Sequence, residues 1–181
     1  MAFMRRQIRG LYFLWAVMGI VGMLFLTWIL WSPGLSKRDV VCQGCQPFEG
    51  EIGLNEARII HLTWPNRTAK NGQAEIRLQL APESQTAGGD EIYQTYNVVA
   101  EGFLDIPGTI VEPSDTIFEP MRPGVPRTFN WSVIMNQSGA IQARIWLYLN
   151  FEPNAGGTSI RRLVSVQDFL LLLSNMVFHR L

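Results

Sequence analysis

The sequence predicts a mainly β protein that is tethered to a membrane by one helix near its N-terminus. Three observations lead to this prediction. Residues 11–31 are apolar almost throughout, several segments after residue 57 alternate between apolar and polar side chains, and glycine- or proline-rich turns separate those segments. We expect an antiparallel β-sandwich over residues 57–166, followed by a short apolar C-terminal segment.

Residues 11–31 (LYFLWAVMGIVGMLFLTWILW) contain no charged residue and no proline. As a helix this segment would be about 31 Å long, which matches the hydrocarbon core of a bilayer. Trp15, Trp28 and Trp31 lie towards its ends, where indole rings favour the membrane boundary and contact lipid or a neighbouring protein. The pattern favours an uncleaved transmembrane anchor over a cleaved signal peptide, whose apolar core is usually shorter.

Arginines at positions 5, 6 and 9 precede this segment. By the positive-inside rule, residues 1–10 are cytoplasmic and the β domain is periplasmic or otherwise extracytoplasmic, in a single-pass arrangement. Small residues recur every three positions at Ala16, Gly19 and Gly22 and form a strip on which another helix can pack. The predicted partners are therefore membrane lipid and other integral membrane subunits. The net charge is zero and no basic stripe is present, which argues against nucleic acid.

Two-residue periodicity predicts strands at 57–64, 74–81, 127–134 and 140–151. Further strands are expected at 92–104, where Val98 and Val99 break strict alternation, and at 158–166. The cluster NRTAKNG at 66–72 ends in Asn-Gly and predicts a hairpin between the first two strands. Five prolines between residues 107 and 126 allow only short edge strands there.

About seven short strands with turns between them, and almost no helical periodicity, favour an immunoglobulin-like sandwich. The segment FNWSVIMNQSGAIQARIWLYLNF at 129–151 is predicted to be a hairpin. It resembles the penultimate strand pair of many extracytoplasmic immunoglobulin-like domains. The resemblance implies a fold and no activity.

The connector at 32–56 contains Cys42 and Cys45, the only motif here with chemical potential. A haem-attachment motif would have histidine after the second cysteine, where this chain has Gln46, and two thiolates alone do not complete a zinc site. A thioredoxin-like redox pair would sit between a strand and a helix. A local disulfide, or two reduced thiols without a role, is the simpler interpretation.

Within the C-terminal segment 167–181, residues 169–178 (FLLLLSNMVF) are apolar almost all round if they are helical, and Asp168 is placed to cap the start of such a helix. Ten residues of helix reach only about 15 Å, which is too short to cross a bilayer. It could lie on the membrane, contact another subunit or extend the last strand, and we expect a partner or lipid to cover it. The predicted contact residues are Phe169, Leu172, Leu173, Met176 and Phe178.

Nothing else in the sequence predicts a reaction centre. His61 and His179 have no carboxylate or hydroxyl residue at a spacing that would indicate a catalytic triad. The acidic residues of 83–119 do not match the sequence of a calcium-binding loop. We therefore expect no catalytic residue, no cofactor and no metal, and a protein that is not an enzyme.

These observations together predict a non-catalytic accessory subunit of a larger membrane complex, with an energy-transducing complex of photosynthesis or respiration as its expected client. One alternative is a membrane-tethered thiol-redox or metal-delivery factor that uses Cys42 and Cys45. Another is an extracytoplasmic binding module whose loops at 107–126 contact a polymer or peptide.

Overall fold

In a computed structural model the chain divides into two compact units, Met1–Pro33 and Gly34–Leu181. The structure describes residues 15, 17–27, 34–47, 52–65, 73–83, 90–135 and 139–173. In the first unit Trp15 and residues 17–27 are helical (α1), and the described side chains of this helix are all exposed. Within the described ranges, no helix combines the length and the apolar character that a membrane crossing requires. The predicted span at 11–31 includes residues 11–14, 16 and 28–31, which lie outside those ranges, so it stays a prediction.

The second unit is mainly β and consists of two antiparallel sheets, as the sequence predicts. Sheet A has the strand order β1-β2-β3-β7-β5. Its strands are β1 (Leu35–Val41), β2 (Arg58–Pro65), β3 (Gln73–Pro82), β5 (Ile110–Glu112) and β7 (Arg127–Ile134).

Sheet B has the order β6-β4-β8-β9. Its strands are β4 (Tyr96–Asp105), β6 (Ile117–Pro120), β8 (Gly139–Pro153) and β9 (Ile160–Leu173). The two short strands of the proline-rich region, β5 and β6, each lie at the edge of a sheet, which confirms the expectation for this region. The predicted pairing of the first two alternating segments is also confirmed by the register of β2 with β3, while the turn at 66–72 lies outside the described residues.

The core lies between the sheets because alternate residues of each strand point inward. Sheet A contributes side chains such as Leu62, Leu78 and Trp131, and sheet B contributes Leu147 and Phe151, all of them buried. At the centre, a Cβ added to Gly102 would approach the Phe129 ring to 2.7 Å. Glycine at this position therefore lets the aromatic ring pack directly on the backbone of β4.

Four predicted elements differ from the structure. Residues 35–41, expected to be connector, form β1, and residues 90–95, of which 92–95 were expected to be strand, form a short helix, α2 (Asp90–Thr95). The predicted hairpin at 129–151 is wrong because β7 and β8 lie in different sheets. The last strand does not end at residue 166, since β9 continues to Leu173.

The expected helix cap at Asp168 is therefore also wrong. Asp168 lies within β9 opposite Arg144 of β8, and its carboxylate accepts a hydrogen bond of 2.6 Å from that guanidinium. Backbone pairing with a long neighbouring strand thus decides the conformation of the segment up to residue 173, where the apolar sequence alone is equally compatible with helix.

Two ends of the sandwich serve as landmarks. The proximal end holds Leu35, where β1 begins, and Leu173, where β9 ends. The distal end holds Pro153 and Ile160, between which β8 turns into β9. At the proximal end the two sheets contact each other through the rings of Trp64 and Phe169, whose centroids are 5.0 Å apart.

Candidate functional site

The outward face of sheet A is polar, as expected for an antiparallel sheet that faces water. Most residues that alternate with the buried ones along β2, β3 and β7 carry hydroxyl, amide, imidazole or charged groups, whereas Ile59, Ala81 and Ile134, near the strand ends, are apolar. The polar groups pair across the strands, as when the Arg77 guanidinium donates to the Asn130 amide oxygen at 3.0 Å. The polar outward residues at the centre of the sheet are His61, Thr63, Glu75, Arg77, Gln79, Asn130 and Ser132.

The outward face of sheet B departs from this rule. Large apolar side chains occupy outward positions on its four strands, and Phe118 and Leu163 keep 61% and 45% of their surface exposed. Direct cross-strand neighbours share a face, so Phe118 lies beside Glu101 and Leu163 beside Tyr148. We call this surface the B face; its residues are Val99, Phe103, Phe118, Trp146, Tyr148, Leu163 and Val166.

Two arginines lie on the aromatic rings of the B face and are held there by carboxylates. The Arg161 guanidinium lies 3.8 Å from the centroid of the Tyr148 ring and donates to Glu101 at 2.6 Å. The Glu101 side chain is only 6% exposed, so this carboxylate is anchored beneath the arginine. The arrangement fixes the ring and the cation together and presents both to the outside.

The second arginine, Arg144 of β8, likewise contacts both an aromatic ring and a carboxylate. Arg144 lies 5.6 Å from the centroid of the Trp146 ring and forms a two-point hydrogen-bonded ion pair with Asp168. The hydrogen bond from Arg144 holds the pKa of the Asp168 carboxyl below its ordinary value. Asp168 is therefore ionised, and Arg144 paired, at neutral pH.

The chemistry of the B face suits contact with another protein. Interface cores are enriched in aromatic residues and arginine and depleted in unpaired charge. The B face combines Phe103, Phe118, Trp146 and Tyr148 with two arginines whose charges are already balanced.

Cys42 and Cys45 form a disulfide in the structure, with Cα atoms 5.3 Å apart. Both residues are buried, at the distal end of the sandwich. The short 3-10 turn Gln43–Cys45 presses against β9, since a Cβ added to Gly44 would come within 2.3 Å of the Val164 carbonyl oxygen. A buried bond closed over by a neighbouring strand does not favour exchange with an external thiol, which requires access to a sulfur atom.

A buried polar cluster at the distal end was not predicted from the sequence. The Arg58 side chain is fully buried and forms an ion pair with Glu56. Its remaining donors reach the carbonyl oxygens of Arg122 and Val125, at 2.9 and 2.8 Å. The cluster therefore ties the loop before β7 to the start of β2. The Glu-Ala-Arg spacing was visible in the sequence, but burial depends on the loop at 121–126, which is distant in the chain.

Tyr93 of α2 completes this cluster by donating to Glu56 at 2.8 Å. Burial raises the pKa of the Tyr93 phenol well above its ordinary value, and the Glu56 carboxylate raises it further. The phenol is thus held as a neutral donor. Every group in the cluster has partners within the domain, which indicates a structural role.

In the structure His61 has a carboxylate partner, contrary to the expectation from the sequence. Its Nδ1 lies 2.7 Å from Asp39 Oδ1, across the pair of β1 with β2. The sequence does not predict this contact, because Asp39 falls in a segment expected to be a connector and not in a strand beside β2. Among the described residues no three His, Cys, Asp or Glu side chains are grouped as metal ligands.

The predicted contact residues are distributed over both units. Trp15, Gly19 and Gly22 lie on α1, and a Cβ added at either glycine would meet no atom within 4 Å. Ala16, Trp28, Trp31, Met176 and Phe178 lie outside the described residues, and of Leu173 only the backbone is described.

The two remaining contact residues lie in β9 and differ in exposure. Phe169 is buried against Trp64 in the domain's own core, whereas Leu172 is exposed. The two residues are three positions apart in a strand, so their side chains point to opposite faces of the sheet. A comparison with known protein families and with curated proteins finds no family and no protein that this chain matches.

Proposed function

We propose that this protein is a non-catalytic accessory subunit of a membrane complex. In this proposal residues 11–31 anchor the chain, and the β-sandwich docks through the B face onto another protein subunit. The observation that carries the proposal is the difference between the two outward faces of one sandwich. The centre of sheet A presents mainly amides, hydroxyls and charges, and its outward aliphatic residues, such as Ile59, Ile110 and Ile134, lie at strand ends and on the edge strand β5. Sheet B also carries charged residues on its outward side, but among them it presents four aromatic side chains, those of Phe103, Phe118, Trp146 and Tyr148.

This difference is informative because the inward faces of both sheets already form the hydrophobic core. The inward residues of sheet B are buried against sheet A, so the apolar residues of the B face are not needed to hold the domain together. Contiguous exposed apolar surface on a soluble domain is typical of interaction sites. A protein partner suits it better than lipid, because the flanking ion pairs Arg144–Asp168 and Arg161–Glu101 can form a polar rim around apolar contacts.

The neighbour order of the strands supports the finer prediction of an immunoglobulin-like sandwich. The order β2-β3-β7-β5 in one sheet and β6-β4-β8-β9 in the other corresponds to the strand neighbours A-B-E-D and C′-C-F-G. Two features depart from that plan: β1 adds a strand beyond A, and β5 precedes β6 in the chain. We propose an immunoglobulin-like arrangement with an additional edge strand.

The disulfide supports an extracytoplasmic position for the domain, because structural disulfides persist in oxidising compartments. This agrees with the orientation predicted from Arg5, Arg6 and Arg9. An energy-transducing complex remains the client class to look for first.

The proposal is tested by extracting the full-length protein from its own membrane with a mild detergent and measuring the size of the particle that carries it. We expect the protein mass of this particle, after the bound detergent is subtracted, to be much larger than the 20.5 kDa of one chain. The double variant Phe118→Glu and Leu163→Glu places two charges on exposed positions of the B face and should release the chain from that particle.

The matched control is the double variant Thr63→Glu and Gln79→Glu on the outward face of sheet A, which should leave the particle intact. A wild-type chain that migrates alone would contradict the proposal. So would a B-face variant that stays in the complex as well as the control does.

A further inference from the structure

A groove of about 640 Å³ runs between the edge strands β1 and β9 at the proximal end of the sandwich. One part of its wall is apolar and is formed by Trp64, Phe169, Leu170 and Leu172. The other part is polar and is formed by Ser36, Arg38, Gln142 and Asp168. The groove is therefore amphipathic, and it adjoins the B face at Asp168, which pairs with Arg144.

Arg38 is positioned at the polar part of the groove by two contacts. Its guanidinium lies 5.6 Å from the centroid of the Trp64 ring, and one terminal nitrogen donates to the Asp168 carbonyl oxygen at 2.8 Å. Neither of these two partners is charged, but the Asp168 carboxylate is close enough for Arg38 to help lower its pKa. Because that carboxylate already forms a two-point ion pair with Arg144, two guanidiniums share one carboxylate and a net positive charge remains at the groove. A guanidinium with its charge retained is well suited to bind phosphate.

The position of the groove along the chain restricts what can reach it. Leu35 is only four residues beyond Trp31, the last residue of the predicted span. Four residues extend at most about 14 Å. If residues 11–31 cross the bilayer, the start of β1 therefore lies within reach of the lipid headgroups.

The side chains around this end agree with such a position. Leu35, Leu170 and Leu172 each keep more than half of their surface exposed. Lys37 and Arg38 follow directly in β1 and are also exposed. Aliphatic side chains next to basic ones are characteristic of surfaces that rest on anionic membranes.

We propose that the groove between β1 and β9 binds a phospholipid of the membrane surface. The Arg38 guanidinium contacts the lipid phosphate, and an acyl chain lies along Trp64, Phe169 and Leu172. This inference rests on the membrane anchor of the proposed function and assigns this end of the domain to lipid, whereas the B face is assigned to protein. A polypeptide strand added to the edge of β9 fits less well, because the Arg38 side chain already uses the Asp168 carbonyl oxygen at that edge.

The test uses the purified full-length chain in nanodiscs of phosphatidylcholine and phosphatidylglycerol. A cysteine introduced as Leu172→Cys is labelled with a fluorophore under non-reducing conditions, because the native cysteines are joined in a buried disulfide. Brominated acyl chains should quench this fluorophore severalfold more than one at Ala155→Cys, an exposed position at the distal end.

A second measurement counts phosphatidylglycerol molecules that stay bound after delipidation, by native mass spectrometry. The wild-type chain should retain one, and Arg38→Gln should lose it. The matched control Arg77→Gln, on the polar face of sheet A, should retain it.

The groove proposal is overturned if the chain is in the nanodisc but the label at position 172 is no better quenched than the label at position 155. It is equally overturned if Arg38→Gln and Arg77→Gln retain the same amount of lipid, or if two chains cross-link through position 172. A chain that does not enter nanodiscs would instead contradict the membrane anchor, and a missing partner complex would contradict the B-face assignment. The failures are therefore distinguishable.

Discussion

Glu56 and Arg58 form the ion pair on which the stability of the distal end should depend most. Replacing Glu56 by glutamine keeps the size of the side chain but leaves the fully buried Arg58 guanidinium without a counter-charge. Removal of one partner from a buried pair typically costs about 3–5 kcal/mol. We expect Glu56→Gln to lower the free energy of unfolding in urea by an amount in that range.

The chain provides a matched control in Glu75 and Arg77, which have the same spacing in the sequence. Their closest charged atoms are 3.5 Å apart, and both side chains are more than half exposed. Because exposed pairs contribute about 0–1 kcal/mol, Glu75→Gln should be nearly neutral. Equal losses for the two variants would show that burial of Arg58 is not what makes the first pair important.

Tyr93 should report the state of the same cluster as the pH rises. Its folded pKa is raised above the unfolded value near 10, chiefly by burial. The neutral phenol therefore contributes stability that is fully present below about pH 10 and is lost as the pH rises towards the folded pKa.

We expect Tyr93 to resist ionisation until the domain unfolds, and the ultraviolet absorbance of phenolate should record its ionisation as a late step at high pH. Tyr93→Phe should abolish that late step. A late step that persists in Tyr93→Phe would assign it to another tyrosine.

At the level of elements, β9 shows most clearly what the sequence could and could not predict. Alternation identified the segments that became β2, β3, β7 and β8 because each of them places most of its apolar residues on one face. In β9 both faces are apolar after Asp168, since Leu171 enters the core while Leu170 and Leu172 face outward. A strand with two apolar faces shows no two-residue alternation in its sequence. Only the pairing of β9 with β8 therefore distinguishes this segment from a helix.

The same reasoning explains the other departures. The sequence of β1 suggests a connector because the charged residues Lys37, Arg38 and Asp39 interrupt its apolar positions. An edge strand tolerates such charges, because one face and one edge of it are open to solvent. The B face was missed for a related reason. Trp146 and Tyr148 could be placed on the outward side of their strand from alternation alone. Their partners Phe118 and Leu163 joined them only once the sheet order was known.

The conformation of β9 can be tested with two neighbouring leucines. Leu171 is completely buried, whereas Leu170 keeps 59% of its surface exposed. Leu171→Ala should lower the free energy of unfolding by about 2–5 kcal/mol, as expected for a buried leucine. Leu170→Ala should change it by less than about 0.5 kcal/mol, as expected for a surface position.

Urea unfolding of the two variants decides between conformations. A strand packed on one face gives unequal losses for adjacent residues. Similar losses at both positions would indicate that both leucines are buried and would contradict the register of β9 with β8.

At the level of the whole molecule, the different surfaces have different chemistry. Sheet A presents polar groups, the B face presents aromatic and aliphatic groups with balanced arginines, and the proximal end presents leucines beside Lys37 and Arg38. Water, a protein partner and lipid headgroups are the respective environments that these surfaces fit. The proposal of an accessory subunit follows from this division of the surface more than from any single residue.

This assignment requires the domain to be outside the cytoplasm, which can be tested with cysteine labelling in membrane vesicles. We expect a membrane-impermeant maleimide to label Ala155→Cys in right-side-out vesicles and not in inverted ones. Ala2→Cys, in the predicted cytoplasmic segment 1–10, should show the opposite pattern. The native cysteines should contribute no background because their disulfide is buried. The reverse labelling pattern would place the domain in the cytoplasm, where a structural disulfide would be exposed to reducing conditions. Recovery of the protein outside the membrane fraction would contradict the membrane anchor on which both proposals depend.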